Sequence, residues 1–179
     1  MRVIENPVSG ERIVIRRSAR ETDGALLSFD LYLPPGKHVP ASHVHPSQEE
    51  VFTVITGEMH FRIGRRHLIA RAGDSVRVPS RTSHWFGNRS MQTAHAYVEA
   101  RPALRLEELF VANEAMQCHT LGGRRVPHIT ALAAALLDYH AEVRAPLIPT
   151  WLVRVILAVP ARLGRKHATS RQIECAPHS

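Results

Sequence analysis

The sequence predicts a mainly β protein, an all-β sandwich or barrel over roughly its first hundred residues, followed by two or three α-helices. Three observations lead there. Short runs of apolar/polar alternation recur from the N-terminus to residue 99, each bounded by Gly, Pro or Asn. After Arg101-Pro102 the period changes, and apolar residues fall at helical spacing. The chain has 179 residues, 44% of them apolar, which fits one domain with an appendage. The expected layout is a barrel over 1–102, a helical extension over 103–163 and a disordered tail over 164–179.

The elements follow in order. Asn6-Pro7 and Ser9-Gly10 are turn signals, and 11–16 alternates with Ile13 and Ile15 on one face, so two short strands lead in. In the strand over 25–33, Leu27, Phe29, Leu31 and Leu33 share one face, and Ser28, Asp30 and Tyr32 share the other. Pro34-Pro35-Gly36 ends it. A short strand is expected at 42–45 and another at 51–56, closed by Gly57. Residues 59–63 and 67–71 form a hairpin about Gly64-Arg65. Residues 75–79, 84–86 and 92–99 complete the β part.

Beyond it, 104–117 carries Leu106, Leu109, Phe110 and Asn113 at helical spacing, and Gly122-Gly123 breaks the pattern. Residues 130–143 repeat it through Leu132, Ala133, Leu136, Leu137 and His140. The segment 150–163 is apolar nearly all round but contains Pro160 and lacks the ~20 residues of a bilayer span. It is expected to pack on the barrel or on a second subunit. The sharper alternative is an interfacial membrane helix anchored by Trp151.

The chemistry concentrates in two stretches. His43 and His45 are two apart, so on a strand both imidazoles project from one face and one ion can reach them. Glu50 follows after four residues, and His84 supplies a third imidazole from its own strand. Three imidazoles and one carboxylate suit a first-row divalent metal, and an octahedral ion so held keeps positions open for substrate. Glu49 is the rival carboxylate. Glu50 shares parity with Phe52, Val54 and Thr56, which read as barrel-facing, and Glu49 would then face out.

These residues, with Gly57, Gly73, Pro79 and Asn88, resemble the paired motifs of the cupin superfamily. The match spans roughly residues 25–100, with its core motifs within 36–88. The pattern departs in two places: Gly36 lies one residue further from His43 than usual, and Arg81 stands where glycine is usual. The resemblance implies a double-stranded β-helix, or jelly roll, and one bound divalent transition metal (Fe, Mn, Co, Ni or Zn) held by His43, His45, Glu50 and His84. It also implies a small-molecule substrate and a homodimer. Cupins with this ligand set include dioxygenases, decarboxylases, isomerases, lyases and cyclases. The first expectation is an oxygenase-type reaction on an aromatic or enolic metabolite. The alternatives are a non-redox enzyme using the metal as Lewis acid, or a binding module without turnover. Phe52, Val54, Arg77, Phe86, Tyr32 and Tyr97 are the candidates to line the substrate pocket, and His60 and His95 are candidates to support it.

Composition bounds the rest. The net charge is +7, and residues 119–179 carry +5 of it, so the basic excess lies outside the barrel. A solvated basic tail is expected ahead of a contact with an anionic membrane surface or an acidic partner, and no basic–aromatic stripe suggests nucleic-acid binding. Cys118 and Cys175 are the only cysteines, without zinc spacing. No charged start precedes an apolar run, so no signal peptide is expected and the cytoplasm is the default location.

Overall fold

The computed structural model describes residues 2–39, 41–116, 118–121 and 124–144. Two antiparallel sheets form the β part. The larger is built from β1 (Val3–Glu5), β2 (Arg12–Arg17), β3 (Leu27–Leu33), β4 (Glu49–Thr56), β7 (Ser75–Val78) and β9 (Ala94–Arg101). Its strand order is β1-β2-β3-β9-β4-β7. The smaller joins β5 (Glu58–Ile63), β6 (Arg66–Arg71) and β8 (His84–Gly87) in the order β6-β5-β8. Single bridges from His38 to Gly87 and from His43 to His84 lay the 38–43 segment along β8. The fold is the jelly roll that the cupin motifs imply.

The alternation read from the sequence sets the core. Glu50, Phe52 and Val54 on β4 lie opposite Ala100, Val98 and Ala96 on β9, and all six are buried. Phe29 and Leu31 continue the same face from β3. Phe52, Phe61 and Phe86 meet across the two sheets, with Phe52 centroids 5.3 Å from Phe61 and 5.2 Å from Phe86. The chain crosses between sheets at Gly57, which links β4 to β5. Its φ is +77°, and a Cβ there would stand 3.0 Å from the Ala94 Cα, so both conformation and space call for glycine.

Beyond the barrel come α1 (Leu106–Glu114), the antiparallel pair β10 (Cys118–Leu121) and β11 (Arg124–Pro127), and α2 (Ile129–Asp138). The β10–β11 pair corrects the reading of 104–143 as helix, break, helix. The first helix stops at Glu114, and the second ends at Asp138 rather than Val143. The strand expected at 42–45 is reduced to isolated bridges at His43 and Val44. The 150–163 segment lies outside the described residues, and among those described no helix is long and apolar enough to cross a membrane.

α1 docks by the residues its spacing singled out. Leu106 and Leu109 are buried, and Phe110 meets Phe29 edge-to-face at 5.2 Å. Gln48, itself buried, donates from Nε2 to the Pro102 and Ala103 carbonyls, tying the turn before Glu50 to the chain entering α1. After α2, Val44 and Arg144 exchange both backbone hydrogen bonds at 2.9 Å. The helical extension therefore closes over the end of the barrel that carries the histidines.

Candidate metal centre and its cavity

His43 and His84 sit opposite each other, exchanging backbone hydrogen bonds at 3.0 and 2.9 Å. His45 follows two residues on. One ring nitrogen from each of the three imidazoles lies within 4.8 Å of those of the other two. Glu50 comes from the inner face of β4, its Oε2 3.1 Å from His84 Nε2 and 3.4 Å from His45 Nε2. Arg81, in the position where the cupin motif has glycine, takes φ +61° itself, and its N–H donates to the His45 carbonyl at 2.8 Å. The departure at this turn leaves the turn shape intact.

Each imidazole is oriented by a backbone carbonyl. Nδ1 faces the Ala41 oxygen in His43 (3.2 Å), the Glu142 oxygen in His45 (2.5 Å) and the Thr82 oxygen in His84 (3.3 Å). A carbonyl only accepts, so Nδ1–H donates in each ring and Nε2 is left with its lone pair. Glu142 belongs to the segment after α2, so the helical extension fixes one of the three rings.

These atoms fit a cation. His84 Nε2 and Glu50 Oε2 are both buried and neither has a hydrogen-bond partner, although they stand 3.1 Å apart. Two lone pairs facing each other repel, and a buried polar atom without a partner costs roughly 1–3 kcal/mol. A divalent ion held by these residues would remove both penalties. The local electrostatics keep His43 neutral and, without an ion, draw a proton onto the His45–Glu50 pair, which a metal would displace. Burial, with the neighbouring His84 and His45, pushes His43 down to about 3, so it stays neutral and able to ligate. For Glu50, burial opposes ionisation, but His45 and His84 outweigh it and hold the carboxyl well below its usual range. For His45, burial is likewise outweighed, by the Glu50 carboxylate and the Glu142 carbonyl, and its pKa is raised.

Glu49 lies on the outer face, its Oε2 2.7 Å from Arg77 Nη2. Glu50→Gln is accordingly expected to weaken metal binding at least about tenfold and Glu49→Gln to leave it unchanged, as read by competition with a chelating dye. Equal effects would contradict the assignment.

A cavity of about 460 Å³ opens from the centre. His43, His45 and Glu50 line one part; Phe52, Phe86, Leu31 and Phe29 come from the sheets, and Leu109, Phe110 and Leu136 from the helices. Val54 is fully buried and lies outside this lining. Besides Val54, three further pocket candidates are corrected. Arg77 is on the outer face with Glu49, Tyr32 stacks on His95 at 4.3 Å, and the Tyr97 hydroxyl faces Glu99. All three have the opposite strand parity to the inward residues, so the pleat turns them away. His60 pairs with Glu58, and His95 with Asp30, also outside the cavity. A second depression, of about 610 Å³, is lined by β6 and β7 and contains none of the histidines.

Sequence reasoning missed Glu11. It is buried and lines the same cavity, and burial raises its carboxyl to about 7, against the lowering effect of Asn6 and Ser9. Its parity with Ile13 and Ile15 was the available signal. The folded protein keeps a proton that the unfolded chain releases above its ordinary value of 4.5. The stability this carries is therefore full below 4.5 and lost as pH rises through about 7. Without metal, Glu11→Gln is expected to match wild type near about pH 4 and to exceed it by up to about 3 kcal/mol near about pH 8, by denaturant unfolding. Equal stability at both values would contradict the burial of this carboxyl.

Comparison with known proteins agrees with this geometry. A family model described as "Cupin domain" matches residues 29–98. No curated protein matches the sequence. Among solved structures, a predicted oxalate decarboxylase from Thermotoga maritima is 23% identical, with a TM-score of 0.50, covering 56% of this chain and 90% of its own. The cupin domain of Cnp3 from Schizosaccharomyces pombe is 10% identical, also with a TM-score of 0.50, covering 60% of this chain and 72% of its own. A sugar phosphate isomerase of the cupin superfamily from Silicibacter pomeroyi is 19% identical at a TM-score of 0.47, covering 53% of this chain and 61% of its own. At these identities the likeness concerns the fold. Taken with the family match, it makes residues 29–98 a cupin domain.

Proposed function

We propose that this chain is a metal-dependent cupin enzyme acting on a small, largely apolar organic metabolite, with an oxygenase-type reaction on an aromatic or enolic substrate as the first reading. One observation carries it: the His43–His45–His84 and Glu50 cluster opens into a cavity whose remaining walls are mostly aromatic and aliphatic. Such a cavity takes an apolar body and presents its oxygen to the cluster. A bound divalent ion would supply Lewis-acid polarisation of that oxygen and, if redox-active, electrons for dioxygen chemistry.

The residues themselves do the rest. Phe52 and Phe86 hold the substrate body beside the cluster and exclude water from it. Nδ1 hydrogen bonds to Ala41, Glu142 and Thr82 keep the three rings aimed. Arg144 is the one Lys or Arg among the described lining residues, so small polyanions such as oxalate or sugar phosphates suit the cavity poorly. A second reading, a non-redox isomerase, cyclase or decarboxylase, is favoured by Glu11, a carboxyl held near neutrality within reach of the same space.

The test is oxygen uptake by iron-, manganese-, cobalt- or nickel-loaded protein with apolar phenols and enols. Stoichiometric uptake with product formation supports the oxygenase reading, and equal turnover without oxygen moves the conclusion to the second. A homodimer is part of the proposal. Light scattering is expected to give twice the 20.0 kDa chain mass, and a monomer would contradict it.

A further inference from the structure

Glu11 is the one acidic residue of the cavity besides Glu50 among the described lining residues. Its position is built rather than incidental. The turn between β1 and β2 closes with Asn6 N–H donating to the Glu11 carbonyl at 2.9 Å and Gly10 N–H donating to the Asn6 carbonyl at 2.8 Å. Asn6 Oδ1 accepts from the backbone of Val8 (2.9 Å) and Ser9 (3.3 Å), which leaves its Nδ2 to donate to Glu11 Oε1 at 3.2 Å. Gly10, at φ +73°, lets the chain turn and lies against the Lys37 side chain. Glu11 lines the cavity together with Ile13, Leu31 and Phe110. The titratable groups that share this space are Glu50, His43, His45 and Arg144.

We propose that Glu11 is the proton-transfer residue of the cavity, acting on a C–H or O–H of an apolar, enolisable substrate whose oxygen lies toward the histidine cluster. The proposal rests on the reading of this cavity as the substrate site. In the step, Glu11 Oε takes a proton from the carbon next to the carbonyl. The C–H pair becomes the enolate double bond, and the carbonyl pair moves to oxygen. Return of the proton to the same carbon restores the carbonyl and completes an exchange, with no other reactant needed. A carboxyl that titrates near neutrality can both take and give that proton. Asn6 is a positioning residue: it holds Glu11 without lying in the path of the proton.

The experiment uses zinc-loaded full-length protein in deuterium oxide with 4-phenylbutan-2-one, an apolar ketone, and follows deuterium entry beside the carbonyl by NMR. Wild type is expected to exchange faster than buffer, Glu11→Gln at least about 100-fold more slowly than wild type, and Asn6→Asp with its pH profile moved upward. Asn6→Asp keeps the oxygen that Val8 and Ser9 need, replaces the donor to Glu11 and adds a like charge. A readout independent of turnover is the carboxyl-carbon titration of Glu11, expected near about 7 in protein without probe. Glu11→Gln exchanging at the wild-type rate, wild type exchanging no faster than buffer, or a Glu11 ionised throughout would each overturn the proposal. Zinc content of every sample separates the two levels. Slowed exchange with zinc retained supports Glu11 as the proton carrier, and slowed exchange with zinc lost overturns it. Wild type that takes up no zinc contradicts the metal reading, and the exchange rates of wild type and Glu11→Gln then decide the proposal together with the Glu11 titration.

Discussion

His84→Ala is expected to lower metal affinity by more than about 100-fold while the β fold survives. His84 is fully buried, and its Nε2 and Glu50 Oε2 form the pair of unsatisfied lone pairs that a cation would resolve. Removing a residue that only supports a ligand typically costs 10–100-fold, so loss of a ligand should cost more. His43→Ala and His45→Ala should behave alike. His45→Ala has a second consequence, because it also frees the Glu142 carbonyl and loosens the segment after α2. Chelator competition measures the affinity, and far-ultraviolet circular dichroism checks that the sheets remain. Unchanged affinity in all three variants would remove the centre from the account.

Phe52→Ala is expected to destabilise the protein by about 3–5 kcal/mol. Phe52 is 1% exposed and joins the inner faces of both sheets through Phe61 and Phe86. It also walls the cavity beside Glu50, so its loss enlarges that cavity where the surrounding strands cannot collapse. Urea unfolding reads the change. A loss below about 1 kcal/mol would mean that the two sheets do not meet at this ring as described.

Much of the barrel was legible because strand parity carries one bit per residue, and that bit is reliable where one face is buried. It separated Glu50 from Glu49 and placed Phe52 and Val54 inside. Applied as strictly elsewhere, it would have excluded Tyr32, Arg77 and Tyr97, each of which alternates with a buried apolar neighbour on its own strand. It would also have found Glu11 on the face of Ile13 and Ile15. A carboxyl at the end of a core-facing run reads as surface unless the closing element is known, and here that element is the helical extension, roughly a hundred residues away.

The extension was less legible for a related reason. The spacing of Leu106, Leu109 and Phe110 gave a helix and its apolar face, but nothing local said that this face roofs the cavity. The β10–β11 pair is too short for periodicity to distinguish it from a loop. The hydrogen bond from His45 to the Glu142 carbonyl joins residues 97 apart in sequence. No motif contains it, because a backbone acceptor places no demand on residue type.

The most direct test of the central claim is elemental mass spectrometry of the wild-type protein after dialysis against a divalent transition metal and removal of the excess. One equivalent per chain is the predicted result, as His43, His45, His84 and Glu50 form a single site. Protein that retains no metal after this treatment would contradict a metal centre, and with it the reading of the cavity as a metal-dependent active site.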